Sequence, residues 1–397
     1  MIRIAFPFIS NKIWPGGYNY LQNLFIVISH HQQKKFQPVI FIGTDIEKKQ
    51  VNAFLKIKNV EIVTTSTMNK SRKNISLIKS YFLGVDKDIQ DLFKKKKINI
   101  VFENANFYGR NLGIPAIAWM PDFQHRALPH LFSQIAWCKR EIGFRAQISS
   151  ARSIMLSSIV SIKDCKRYYP KSIGSTNLVR FATQLIKIPN KNKVQSVKKL
   201  YSLPDKYFYL PNQFWEHKNH LLVIKALNFL KEKGHNIVIV SSGKQLDPSK
   251  PKYFKNFSKT LIKLKLQKMF LLLSLIPYDH VLCLMIGSVS VLNPSLFEGR
   301  SSTVEEGIAL KVPLILSNIN IHKEQAGNKA NFFQYNNYHS LAKVLLKIWN
   351  QKKKVSSNNQ KMSKINSNRV KTFAHDFDNL IKNTIDTFYK INSKKIL

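Results

Sequence analysis

Short apolar runs alternate along this chain with longer stretches of helical periodicity, and that alternation limits the fold more than any other feature. Residues 2–8 read as a buried strand, and further strand-like runs fall at 38–42, 60–64, 98–102, 117–119 and 153–157. Strands that are apolar without a break are those buried on both faces, and strands alternating with helices build parallel sheets. A second series opens with a strand at 207–210 and a helix near 220–231. It continues through strands at 237–241, 289–292 and 312–316 to a helix around 341–349. Pro313 suits such a strand only at its start. Between the two series the pattern lapses, and residues 188–193 are polar and turn-rich, so an interdomain linker is placed at 186–200.

A chain of 397 residues is expected to form two domains, each with its own core. These are 1–185 and 201–368, followed by a C-terminal helix within 369–397, from about 370 to 391. Residues 350–368 are polar and basic and are expected to be mobile. The most membrane-like stretch, 270–292, carries Pro277, Asp279 and His280 near its middle, which would be costly in a bilayer core. It is read instead as strand, turn, short helix, strand. The apolar run after Met1-Ile2-Arg3 breaks at Asn11-Lys12, which does not read as a secretory leader. The three cysteines, Cys138, Cys165 and Cys283, are isolated, as suits a reducing cytoplasm.

The formal charge is +41. Biased base composition would produce it, since Lys, Asn and Ile are abundant throughout. Attraction to an anionic membrane surface is a second reading, and nucleic-acid binding a third. The basic residues are scattered, with short runs only at 94–97 and 352–354, and no helix-turn-helix, zinc or RNA-binding signature accompanies them. Composition bias with some membrane affinity is favoured, and nucleic acid ranks last.

The chemistry concentrates in Asn293-Pro294-Ser295-Leu296-Phe297-Glu298-Gly299-Arg300-Ser301-Ser302-Thr303-Val304-Glu305-Glu306-Gly307. Glu298 follows a strand on a loop, and Glu306, seven residues beyond, is placed in the first turn of the next helix. Ligands of open α/β sheets sit outside the carboxyl ends of strands, and helix N-termini there attract phosphate. Two carboxylates beside an anion site suit a phosphorylated ligand that also carries hydroxyls, such as a nucleotide sugar. The plain alternative is favourable acid placement at a helix start. Ser302 and Glu305 read as a capping box, which leaves Glu306 for a ribose diol.

The spacing of Glu298 and Glu306 resembles that of the retaining glycosyltransferases of family 4, which have the GT-B fold. Trp119-Met120-Pro121-Asp122-Phe123-Gln124-His125 is similar to that family's acceptor-domain histidine motif. Pro211-Asn212-Gln213-Phe214-Trp215-Glu216-His217-Lys218-Asn219-His220 is similar to its phosphate-binding lysine segment. The resemblance covers nearly the whole chain and is strongest to transferases of lipopolysaccharide and other surface polysaccharides. It implies an α/β protein of two Rossmann-like domains whose parallel sheets face across a cleft, with the last helix crossing back to the first domain. It implies a hexosyltransferase that moves a sugar, with mannose as the guess, from a nucleotide-diphosphate donor to a saccharide or lipid-linked acceptor. No metal or other cofactor is expected. The expected location is cytoplasmic, extending to the inner face of the cytoplasmic membrane.

The resemblance also implies roles for particular residues. Glu298 and His125 position the donor sugar, His125 near its 6-position, whereas an isolated His is more often structural. Asp122 is read as orienting its own turn. Lys218, at the start of the second domain's first helix, holds the pyrophosphate together with Asn212. The plain reading is a solvated lysine set slightly unfavourably against the helix dipole. The family commonly adds an Arg a few residues before this Lys. Asn212 and Gln213 stand there instead, and Arg300 is expected to compensate. Gly16 and Gly17, read as part of a loop before the first helix, line the cleft near the donor phosphates, although an ordinary tight turn is the commoner meaning. Ser302 and Thr303 present the helix N-terminus to phosphate. Gly243 lies at the nucleotide's edge and Tyr278 along its base. Two rivals stay open: a GT-B sugar-nucleotide epimerase, and a non-enzymatic basic protein that binds polyanions.

Overall fold

The computed structural model describes residues 1–104, 106–247, 250–351 and 359–393. Two compact units emerge. The first comprises Met1–Arg126, Gln134–Gln184 and the stretch from Ser367; the second comprises Ala127–Ser133 and Leu185–Asn366.

The first unit is a parallel sheet of seven strands in the order β3-β2-β1-β4-β5-β6-β7. These are β1 (Ile2–Pro7), β2 (Phe36–Ile42), β3 (Glu61–Thr64), β4 (Ile100–Glu103), β5 (Ala116–Trp119), β6 (Ser153–Leu156) and β7 (Thr176–Leu178). The first six coincide closely with the apolar runs of the sequence. The seventh, Thr176-Asn177-Leu178, is too short and too polar to stand out. β1 and β4 are adjacent, so successive crossovers leave them in opposite directions. Apolar side chains of β1, β4 and β5 meet the helix Pro15–His31 in one core. The final helix, Asn359–Ser393, enters that same core through Val370, Phe373, Ala374, Phe377, Leu380 and Ile381, a spacing that keeps them on one face. Lys35 anchors it through Asp378 at 2.8 Å. Of the polar stretch 350–368, residues 350–351 close the helix Tyr338–Trp349, 352–358 with the 352–354 basic run lie outside the described residues, and 359–368 begin the final helix.

The second unit holds six parallel strands in the order β10-β9-β8-β11-β12-β13. These are β8 (Phe208–Leu210), β9 (Ile239–Ser241), β10 (Phe270–Leu272), β11 (Val291–Asn293), β12 (Leu314–Ser317) and β13 (Ala330–Phe333). Pro313 falls just before β12, where it removes no hydrogen bond from that strand. Residues 270–292 do form strand, turn, helix (Tyr278–Gly287) and strand. The stretch 186–200, read as linker, instead contains a helix, Lys191–Leu200. The Asn190 side chain caps it by accepting from the Lys193 N–H at 2.9 Å. Val194 and Val197 pack with residues of the helix Tyr278–Gly287 in one apolar cluster. The six lysines and asparagines at 190–193, 198 and 199 masked that three-residue apolar spacing in the sequence.

Candidate functional site

The order of the second sheet locates its site. Crossovers from β8 lead toward β9 and those from β11 lead toward β12, so the carboxyl ends of β8 and β11 border the point where the winding reverses, the usual ligand crevice of an open α/β sheet. The loops leaving these two strands are stapled together. The Leu296 N–H donates to the His217 carbonyl at 2.8 Å, and the Asn219 side chain donates to the Pro294 carbonyl at 3.2 Å. Lys218 Nζ donates to Glu298 Oε1 at 2.6 Å.

Lys218 is not in the helix itself. It ends a 3-10 turn, Glu216–Lys218, and Asn219 then adopts a left-handed conformation (φ 57°) before the helix His220–Glu232 begins. Asn is among the few residues that tolerate this region. The turn lifts the lysine off the helix end and points it at Glu298. Burial pushes the Glu298 carboxyl up, but the Lys218 ammonium, with His217 and His322, outweighs it and holds the carboxyl at about 2. Glu298 is therefore ionised at any ordinary pH. The Ser295 hydroxyl stands 2.7 Å from both Glu298 Oε1 and Asn293 Oδ1, so its single proton is shared between two acceptors.

Glu306 has the opposite electrostatics. The helix it belongs to is Ser302–Leu310, which puts it just past the first turn and beyond reach of the free N–H groups there. Burial raises its carboxyl to about 7, against the hydrogen bond from Tyr278 Oη at 2.9 Å, with neighbouring Glu305 adding to the rise. Tyr278, half-exposed, is thus a partner of the Glu306 carboxylate.

The expected capping box is absent from this helix. Ser301, not Ser302, is the N-cap, and its hydroxyl accepts from the Val304 N–H. Three residues on from the true cap stands Val304, so Glu305 has no reciprocal role. It is instead wholly buried and accepts from Arg300 at 2.6 Å and Gln325 at 3.0 Å. Arg300 was expected to supply positive charge for phosphate; its buried guanidinium is engaged by Glu305. Ser302 is exposed at the first helical position, while Thr303 is buried with its hydroxyl 3.4 Å from Asn212 Oδ1.

Asn212 is part of the scaffold. Its amide donates to Asn293 Oδ1 at 3.0 Å, and Asn293 donates to the Ser301 hydroxyl at 2.9 Å, which ties both loops to the helix cap. Gly243 allows this close approach. A Cβ there would stand 2.3 Å from the Asn212 carbonyl oxygen, and its φ is +152°. No motif in the sequence pointed to His322. It is buried on the helix Asn320–Ala326 with Nδ1 3.0 Å from the Ser317 carbonyl oxygen. Burial pulls its ring down to about 4, so the neutral form faces the Glu298 region.

In the first unit the residues named from sequence lie deeper than expected. Gly16 and Gly17 belong to the first turn of the helix Pro15–His31 rather than to a loop before it. A Cβ on Gly17 would stand 2.4 Å from the Trp14 ring, so this glycine makes room for tryptophan. Trp14 stacks on Trp119 with centroids 5.2 Å apart. His125 is fully enclosed, its Nε2 3.3 Å from Glu141 Oε2 and 3.1 Å from Tyr169 Oη. Burial first, and then Arg140, lowers its ring to about 4, leaving it neutral. Glu141 also accepts from Arg126 at 2.6 Å and Arg145 at 2.7 Å. A ring so placed would meet a sugar only if this cluster rearranged. Asp122 accepts from the Gln124 N–H at 2.9 Å, the turn-orienting role read from the sequence.

Residues 192–369 match the model of a family described as glycosyl transferases group 1. No curated protein matches the chain significantly. Among solved structures, a glycosyltransferase from Rickettsia africae is 16% identical with a TM-score of 0.66, covering 98% of both chains. HepE from Anabaena, solved with UDP and glucose, is 14% identical at a TM-score of 0.65, covering 99% of this chain and 100% of its own. WaaG, described as a glycosyltransferase involved in lipopolysaccharide biosynthesis, is 14% identical at 0.62, covering 98% and 99%. The two parallel-sheet α/β units thus have the GT-B fold.

Proposed function

We propose that this chain is a glycosyltransferase that takes its sugar from a nucleoside-diphosphate donor held by the second unit. The observation that carries the reading is the Lys218–Glu298 pair at the winding reversal of the sheet, with Glu306 and Tyr278 on the neighbouring helices. A group 1 match over residues 192–369 spans all four residues and supports it. Lys218 would turn from Glu298 to the diphosphate, and the N-terminus of the helix Ser302–Leu310 would share the developing charge. Glu298, ionised throughout, would accept from sugar hydroxyls and orient the ring. Glu306 would accept from the ribose diol once deprotonated.

No acid pair is assigned to flank the scissile bond, since Glu306 is given to the ribose, so the double displacement of retaining glycosidases lacks its parts. Transfer with retention is therefore read as front-face, the leaving diphosphate taking the acceptor's proton. The transferred group is read as a hexose, with mannose as the guess. The acceptor is a saccharide or a lipid-linked saccharide at a membrane surface, in the making of lipopolysaccharide or another surface polysaccharide. Positive charge from Lys218 and the helix N-terminus makes turnover metal-independent in this reading.

Thermal melting with UDP, GDP, ADP and CMP, each with and without EDTA, tests the donor site, because a ligand of the native state raises the melting temperature. One diphosphate should stabilise the protein regardless of EDTA, and Glu306→Ala should abolish the effect. Absence of any nucleotide shift would sink the proposal. Incubation with the corresponding nucleotide sugar then separates transfer, which releases diphosphate in an acceptor-dependent manner, from epimerisation, which changes the sugar without an acceptor.

A further inference from the structure

We propose that a solvent-facing apolar stripe of the first unit is a docking face for an anionic lipid bilayer. The stripe lies on the helical stretch after β3, formed by Lys73–Ile78 and the π-turn Lys79–Leu83. Ile75, Ile78 and Phe82 recur at i, i+3 and i+7, which places them on one face. They are 52%, 59% and 80% exposed, and Leu83 beside them is 70% exposed. The side that packs carries Ser80, which is buried, and Tyr81, whose ring lies 5.1 Å from that of Phe107. The usual arrangement, apolar face inward, is reversed.

The helix Gln134–Ser149 lies beside this stretch and has exposed apolar residues of its own. A Cβ on its Gly143 would stand 3.9 Å from the Tyr81 hydroxyl, so the two helical stretches are neighbours. Ile142 beside Gly143, and Ile135 two turns earlier, are each more than half exposed. Lys139 and Arg145 share the exposed side with them.

Charge identifies the occupant. Residues 66–83 contain four basic residues, Lys70, Arg72, Lys73 and Lys79, and no acidic one. Arg72 and Lys79 pair with Asp88, while Lys70 and Lys73 are exposed. A second copy of a chain carrying +41 would be repelled. A nucleic acid would meet the charge but has no use for branched aliphatic side chains. An anionic bilayer meets both, with headgroup phosphates for the lysines and the acyl boundary for Ile75, Ile78, Phe82 and Leu83. Among the described residues no helix is long and apolar enough to cross a membrane, so the contact is with the surface. This deepens the membrane reading of the acceptor but rests on none of the donor chemistry, and either can fail alone.

Flotation of the full chain with vesicles tests it. The vesicles would be phosphatidylcholine alone, or phosphatidylcholine mixed with phosphatidylglycerol. The wild type should float with the mixed vesicles and retain part of that binding at high salt. The triple variant Ile78→Ser, Phe82→Ser, Leu83→Ser keeps every charge and should bind at least about tenfold more weakly, losing the salt-resistant part. Its melting temperature and nucleotide response should be nearly unchanged, since these side chains are mostly exposed to solvent. Three results overturn the proposal: no binding of the wild type to mixed vesicles, equal binding by the variant, or sedimentation showing that the stripe is buried between copies of the chain.

Discussion

Replacing Glu306 with Gln isolates the electrostatics of the proposed donor site. In the native protein its carboxyl is raised from 4.5 to about 7 by burial in the absence of a positive partner. The unfolded chain releases the proton near the lower value. Between the two the native state binds more protons than the unfolded state, so this group's contribution to stability falls as pH rises. It is intact below about 4.5 and lost above about 7. Each tenfold change in proton affinity corresponds to about 1.4 kcal/mol, so the displacement from 4.5 to about 7 amounts to about 3 kcal/mol. Glutamine keeps the oxygen that accepts from Tyr278 and cannot ionise. The variant should therefore gain on the wild type by up to about 3 kcal/mol as pH climbs from 5 to 8. Urea unfolding of both proteins across this range gives the difference directly, and pH effects elsewhere in the chain cancel. A difference that stays flat with pH, or that moves in favour of the wild type at high pH, would refute the reasoning.

Other outcomes follow from the same geometry. Tyr278→Phe removes the hydrogen bond that favours the Glu306 carboxylate, so the pH window of instability should shift upward in the same urea experiment. Lys218→Ala leaves an ionised, nearly buried Glu298 without its ammonium and should cost about 3 kcal/mol or more in chemical denaturation, as well as the diphosphate-induced rise in melting temperature. Gly243→Ala forces a Cβ against the Asn212 carbonyl at an unfavourable φ, and should lower stability by about 2 kcal/mol or more. If Glu306 accepts from the ribose, the melting shift produced by the preferred diphosphate should grow as pH passes about 7 and be independent of pH in Glu306→Gln.

The sequence by itself determined the elements that depend on neighbours along the chain. Runs such as residues 2–8 and 38–42 are apolar without a break, and only strands buried on both faces satisfy that pattern, so the parallel α/β class was legible. The loop position of Glu298 and the turn-orienting role of Asp122 were legible for the same reason, each following from residues within a few positions. Misreadings arose where a neighbour set a local detail. Ser301 and Ser302 are both competent caps, and distant side chains, Asn293 and Gln325 reaching Ser301, distinguish them. The helix Lys191–Leu200 hid among lysines because its two buried valines carry meaning only against the helix Tyr278–Gly287. The tertiary structure alone decided the partnerships. Lys218 meets Glu298 across 80 residues, and Tyr278 meets Glu306 across 28. Arg300 is claimed by Glu305, His125 by Glu141 and Tyr169, and His322 is brought beside Glu298 without any motif to announce it. The physical reason is that side-chain periodicity is a property of one segment. Strand order, and with it the Lys218 ammonium that holds the buried Glu298 at about 2 and the burial that raises Glu306 to about 7, is a property of segments that share no sequence signal.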